Sequence, residues 1–182
     1  MTEHIFKQYD AELESVRAKV LQMGGLVEQQ IINALEALVT ANPKIAAEVM
    51  ESDRQVNALE VQVDEDCSHI IARRQPAAGD LRMIMMVVKT ITDLERIGDE
   101  ATKIARVAEK IYESDRLYKP RFNEIKSMVA LVREMLRTSL DAFARLDATK
   151  TVEVARQDEQ VDEQFRAAMR QLITFIDRKS VV

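Results

Sequence analysis

The sequence predicts an all-α fold, and three observations carry that prediction. Among 182 residues there are only 4 Gly and 3 Pro, so few positions can break a helix. Aromatic residues, which are enriched in strands, make up only 4%. Between the few breaks, apolar side chains recur at three- and four-residue intervals, the period of a helix with one buried face.

The first helix is predicted from Lys7 to Thr40, where Asn42-Pro43 stops it. Gly24-Gly25 falls inside it at about 1 kcal/mol per Gly relative to Ala, which a kink or a close helix crossing would explain. The second helix runs from Lys44 to Arg74 and ends at Pro76 with Ala77, Ala78 and Gly79 following. Asp80 is placed as the cap of a third helix that reaches Glu113. Lys119-Pro120 closes the next connection, and a fourth helix spans Arg121 to Leu146. Asp147-Ala148-Thr149 reads as a short turn into a fifth helix, Lys150 to Asp177. Long helices with short connections pack as antiparallel neighbours, so a bundle is expected.

The chain repeats itself. Met23, Leu26, Val27, Ile31, Leu35, Ala37 and Leu38 match Met128, Leu131, Val132, Leu136, Leu140, Ala142 and Phe143 at one constant offset. The register continues through the following turn, where Asp53, Gln55 and Val56 meet Asp158, Gln160 and Val161. Two amphipathic helices share apolar matches cheaply, but agreement across a loop points to two copies of one helical unit. The first copy has a third helix, whose counterpart in the second would begin beyond Val182. The second copy is therefore expected to hold two helices with an unpartnered apolar face, from truncation or because a second subunit covers it.

Charge and cysteine content bound the setting. Lys+Arg 26 against Asp+Glu 31 gives a net charge of −5, which repels a polyanion, and no basic block offsets it. Nucleic acid is excluded as a partner on that ground. A single Cys67, expected at a buried or half-buried mid-helix position, can form no intramolecular disulfide. The polar N-terminus MTEHIFKQYDAELE does not resemble a signal peptide, and no apolar run approaches the ~18–20 residues of a spanning helix. A cytoplasmic protein without membrane insertion is expected.

Carboxylates are the one constellation with chemical promise. Ile84, Val88, Ile91 and Glu95 fall on one stripe of the third helix, with Asp99 one turn further on. An acid in line with core-facing aliphatics is desolvated, partnered or both. The second helix carries Asp53, Asn57, Glu60 and Asp64 beside the apolar row Val49, Val56, Val63 and Ile70. Folding the two helices antiparallel about Pro76-Ala77 brings Asp53 and Asn57 level with Glu95 and Asp99. Glu60 and Asp64 then lie nearer the turn. Three carboxylates and an amide at one level repel unless a cation sits among them. Oxygen-only donors suit Mg²⁺, Mn²⁺ or Ca²⁺, and carboxylate-bridged iron is a further option. The competing reading is a solvated face on which Lys89, Arg96 and Lys103 pair with these acids.

Other chemistry finds little support. Di-iron bundles use Glu-x-x-His on two helices, and the nearest match is a single Asp66-Cys67-Ser68-His69, with His4 the only other histidine. His69 reads as a surface or partly packed side chain, and Cys67 has no second set of zinc ligands. No phosphate-binding Gly-rich loop or nucleophile elbow appears, so no enzyme is predicted. Met83-Ile84-Met85-Met86 reads as adaptable core, with a contact surface as the alternative.

At these residues the sequence resembles the PhoU family, cytoplasmic accessory regulators of bacterial phosphate uptake. The resemblance spans nearly the whole chain. It is carried by FKQYDAELESVRAKVLQMGGLVEQQI near the N-terminus, by Gln75-Pro76 through Asp80-Leu81-Arg82, and by Leu94-Glu95-Arg96-Ile97-Gly98-Asp99. It implies tandem antiparallel three-helix bundles, residues 1–115 forming the first and 116–182 the first two helices of a second, incomplete one. It also implies Asp/Glu-x-x-x-Asp metal motifs, which fall on Asp53 with Asn57, Glu95 with Asp99, and Asp158 with Asp162. The implied cofactor is a divalent metal, Mg, Mn, Fe or Zn. The sequence departs from the family pattern at Asn57, where a carboxylate is replaced, and at Glu100 and Lys103, where many members have His and Asn.

The function this resemblance implies is negative regulation of the phosphate-starvation response. The protein would be a non-enzymatic adaptor between the ATPase of a phosphate ABC transporter and a sensor histidine kinase. A homodimer is expected, from the incomplete second unit. The alternative is a structural or metal-storing helical oligomer with no signalling role.

Overall fold

The computed structural model describes residues 2–113 and 122–180, with side chains described over 7–111 and 122–170. The chain divides into two compact units, Met1–Arg116 and Leu117–Val182. The sequence-based boundary at 115/116, the Lys119-Pro120 connection and the side chain of His4 lie outside the described residues.

The first unit is a three-helix bundle of α1 (Thr2–Thr40), α2 (Pro43–Arg74) and α3 (Ala78–Glu113), each helix packing on the other two. Its core follows the three-and-four spacing. Val16, Val20, Met23, Val27 and Ala34 of α1 meet Val49, Val56, Val63 and Ile70 of α2 and Ile84, Val87, Ile91 and Leu94 of α3, all buried. Each such aliphatic contributes about 1.5–3 kcal/mol relative to exposure. Past Leu94 the buried positions of α3 are Gly98, Ala101, Thr102, Ala105 and Ala108. Small side chains there allow a closer approach of the backbones. α1 is continuous through Gly24-Gly25, so those residues do not interrupt it.

Local chemistry sets the turns. Pro43 occupies the first turn of α2, where its missing N–H costs nothing, and the Asn42 side chain accepts from the Lys44 amide at 3.0 Å. Gln75 ends α2 in the left-handed region (φ 47°), its amide donating to the Ile71 carbonyl, and Pro76 follows. Contrary to the sequence expectation, Asp80 lies inside the first turn of α3 rather than capping it. Its carboxylate instead accepts the Tyr9 hydroxyl at 2.9 Å, which ties the start of α1 to the start of α3. Nearby, Arg74 forks onto Glu12 at 3.0 and 2.7 Å, and Lys19 reaches Asp66 at 2.6 Å.

The second unit contains α4 (Asn123–Arg145), a 3₁₀ turn (Ala148–Lys150) and α5 (Thr151–Ser180). Leu146 adopts the left-handed region (φ 55°), and Asp147 accepts from the Thr149 amide and hydroxyl at 2.9 and 2.6 Å, closing the reversal. Leu136 is the one buried apolar side chain among the described residues of this unit. Phe165 and Met169 of α5 are exposed. No helix, among the described residues, is long and apolar enough to cross a membrane.

Two further expectations are corrected. Val88 and Glu95 are only half-buried, because the core row of α3 is Ile84, Val87, Ile91 and Leu94, and they sit at its edge. The methionine run is mostly surface: Met85 and Met86 are exposed and only Ile84 is fully buried. An amphipathic helix with one apolar face cannot bury four consecutive residues.

Candidate functional site

The predicted acids of α2 and α3 flank a point of the first bundle where Gly98 of α3 comes close to Gln30 of α1 and Asp53 of α2. Gly98 stands at a core position of α3 and is buried. A β-carbon there would meet the Gln30 side-chain oxygen at 2.9 Å, Val56 Cγ1 at 3.6 Å and Asp53 Oδ1 at 3.7 Å. The missing side chain therefore lets α3 approach Gln30 of α1 and Asp53 of α2 together. Glu95 and Asp99 flank Gly98 and are half-buried, as are Asp53 and Glu60 on α2.

Electrostatics mark Glu95. Burial pushes its carboxyl above the usual range, and the charges of Asp99, Glu60 and Asp53 push it further, with Arg96 opposing in part. The neighbouring cations are engaged elsewhere: Arg54 with Glu51 at 2.8 Å, Arg96 with Asp93 at 3.7 Å and Lys103 with Glu100 at 2.8 Å. Asp53, Glu60, Glu95 and Asp99 have no ion-pair partner among the described residues. Ion pairs from Lys89, Arg96 or Lys103 to these acids, the alternative raised by the sequence, do not occur among the described residues.

Gln30 completes the arrangement. Its side chain is 1% exposed, and its amide nitrogen makes only long contacts, 3.4 Å to Asp53 Oδ1 and 3.5 Å to the Val49 carbonyl. Its Oε1 accepts no hydrogen bond among the described residues. A buried acceptor without a donor carries a desolvation cost of about 1–3 kcal/mol. The sequence held the signal: residue 30 continues the spacing Val16, Val20, Met23, Val27, so a polar side chain occupies a core position. Glu60, which hairpin counting sets nearer the turn than Asp53, also acts on Glu95 through its charge.

The donor set is chemically suited to a hard cation: carboxylate oxygens without cationic partners, and one buried amide oxygen. In the described conformation, no group of three or more His, Cys, Asp or Glu side chains gathers as metal ligands among the described residues. Asn57 is exposed on α2. Asp158 and Asp162 are exposed on α5, and Asp162 accepts Arg166 at 2.9 Å. Cys67 is buried, and burial, with Asp64 and Asp66, pushes its thiol up to about 11, a poor nucleophile at neutral pH. His69 is exposed and lines a groove of about 380 Å³ between α1 and α2, whose acids Glu12 and Asp66 are already paired.

The PhoU domain family profile matches residues 20–108 and 125–182. A phosphate-specific transport system accessory protein PhoU homolog of Pseudomonas putida is 48% identical over 177 residues, 97% of this chain and 68% of the relative. The phosphate-specific transport system accessory protein PhoU of Escherichia coli (strain K12) is 43% identical over 176 residues, 97% of this chain and 72% of the relative. The crystal structure of PhoU from Pseudomonas aeruginosa superposes with a TM-score of 0.87 at 45% identity, covering 93% of this chain and 81% of that one.

Proposed function

The chain belongs to the PhoU domain family, and from that premise we propose that it is an accessory regulator of a phosphate-specific transport system, acting without chemistry of its own. One observation carries the reading. Similarity at 43–48% identity runs through 97% of the chain and both helical units, rather than resting on a short motif. The relatives are named as accessory proteins, not as enzymes.

The finer parts of the proposal concern partners. The protein docks on the transporter's ATPase and on a sensor histidine kinase in the cytoplasm, and it damps the phosphate-starvation response when phosphate is plentiful. The absence, among the described residues, of a helix suited to span a membrane supports docking over insertion. Exposed Phe165 and Met169 on α5 support self-association as a homodimer.

For the acid cluster we propose that Glu95, Asp99 and Asp53 hold a hard divalent cation, with the Gln30 amide oxygen as a neutral donor. The unpaired charge and the unused acceptor support this assignment. Asn57, and the pair Asp158 and Asp162 on α5, complete the set that the family motif implies. A bound ion would neutralise mutual repulsion and fix α2 against α3.

The test is a pull-down of the transporter ATPase and the kinase's cytoplasmic region, with and without phosphate and divalent metal. Capture of both is expected. Capture of neither under any condition overturns the adaptor reading. Light scattering across a concentration series tests the dimer.

A further inference from the structure

Basic residues recur at every seventh position of α3: Arg82, Lys89, Arg96, Lys103 and Lys110, all exposed. Seven residues make nearly two helical turns, so the five form one stripe along the face opposite the buried row. The stripe is not uniform. Arg96 and Lys103 are held by Asp93 and Glu100 on the preceding turn. Arg82 and Lys89 have no ion-pair partner among the described residues, and no acid occurs between Leu81 and Thr92.

Apolar side chains surround these two cations. Leu81 is 39% exposed, Met85 48% and Met86 37%. At ~100° per residue, Leu81, Arg82, Met85, Met86 and Lys89 share a sector of about 140°. The neighbouring Asp80 is committed to Tyr9. On a chain of net charge −5, this patch combines uncommitted positive charge with adaptable thioethers.

We propose that the solvent face of α3 from Leu81 to Lys89 docks an acidic amphipathic helix of a protein partner. Its apolar side chains rest on Leu81, Met85 and Met86, and its carboxylates engage Arg82 and Lys89. Charge complementarity selects this occupant. A net-negative protein is repelled by anionic lipid, and Arg96 and Lys103, paired on their own helix, separate Arg82 and Lys89 from Lys110, so no extended basic plane is offered. The inference rests on the adaptor reading for its purpose, though not for its geometry.

The test uses the whole chain and a synthetic fluorescent peptide with leucines on one helical face flanked by glutamates. A lysine-flanked peptide and phosphatidylglycerol vesicles serve as comparisons. The acidic peptide is expected to bind, more weakly at high salt. Arg82→Glu with Lys89→Glu, and Met85→Glu with Met86→Glu, are each expected to weaken it at least about tenfold. Arg96→Glu, whose native charge is already paired, is expected to change it less than about threefold. All are surface positions, and circular dichroism confirms that each variant is folded.

Failure of wild type to bind the acidic peptide, unchanged binding by the variants, equal binding of the lysine-flanked peptide, or binding to vesicles alone overturns the proposal. The two readings fail differently. If the transporter ATPase is captured as well by the Arg82→Glu, Lys89→Glu variant as by wild type, the docking face is wrong and the adaptor stands. If wild type captures neither ATPase nor kinase while the peptide results hold, the adaptor reading falls and the face stands.

Discussion

Gln30 and Gly98 meet where α1 crosses α3, the Gln30 side-chain oxygen lying 2.9 Å from the point at which a β-carbon would leave Gly98. Residue size at position 98 therefore decides whether the crossing holds. Gly98→Ala gains helix propensity of up to about 1 kcal/mol but displaces the Gln30 amide, so its net effect is expected to stay within about 1 kcal/mol. Gly98→Leu drives also into Val56 and Asp53 and is expected to cost about 2 kcal/mol or more. Chemical denaturation of the series checks the ordering, and equal stability of the two variants would contradict the packing.

Gly25 offers the opposite case. It is exposed in the middle of α1, and nothing lies within 4 Å of where a β-carbon would project. Gly25→Ala is expected to stabilise the protein by about 0.5–1 kcal/mol, through backbone entropy alone. A raised denaturation midpoint with an unchanged slope is the expected signature.

The Glu12–Arg74 pair predicts an acid-side weakness. The hydrogen bonds from Arg74 hold the Glu12 carboxyl below its ordinary value, against an opposing contribution from burial. A depressed carboxyl stabilises the fold fully above its unfolded value, and that contribution is lost as pH falls through the folded one. The difference in Tm between wild type and Arg74→Gln is expected to be largest near neutral pH and to shrink below about pH 4. A difference that grows in acid would contradict the sign.

Glu95 behaves in the reverse sense. Its carboxyl is raised by burial and by Asp99, Glu60 and Asp53, so in metal-free protein its ionisation destabilises the fold. The penalty is absent below the unfolded value near 4.5, develops as pH rises toward the raised folded value, and persists at neutrality. Glu95→Gln is expected to raise Tm at pH 7 and to leave it unchanged in acid below about pH 4. Added Mn²⁺ is expected to reverse that order by stabilising wild type and not a Glu95→Gln, Asp99→Asn variant. Elemental analysis showing equal metal in both proteins would refute the assignment of the ion to these residues.

Much of the fold was legible in the chain. The breaks at Asn42-Pro43 and Gln75-Pro76, and the three-and-four spacing of Val16, Val20 and Met23, located helices and core without tertiary information. The same rule placed Asp53 level with Asp99. The helical spacing fixed the core stripe of α3 only to within one position, so it put Val88 and Glu95 in the row that Val87 and Leu94 occupy. The heptad of Arg82, Lys89, Arg96, Lys103 and Lys110 was dispersed among acids, and no sequence block revealed it.

Periodicity and punctuation determined that this chain is helical and where its helices break, because those features depend on neighbours three or four residues away. The tertiary structure decided which polar groups share a site. Whether Gln30, Asp53 and Gly98 touch depends on how three rods rotate about their axes, and that rotation is set by the summed packing of all their buried faces. It also decided which charges are free, since Arg96 and Lys103 turn to Asp93 and Glu100 and leave the acids of the crossing unpaired.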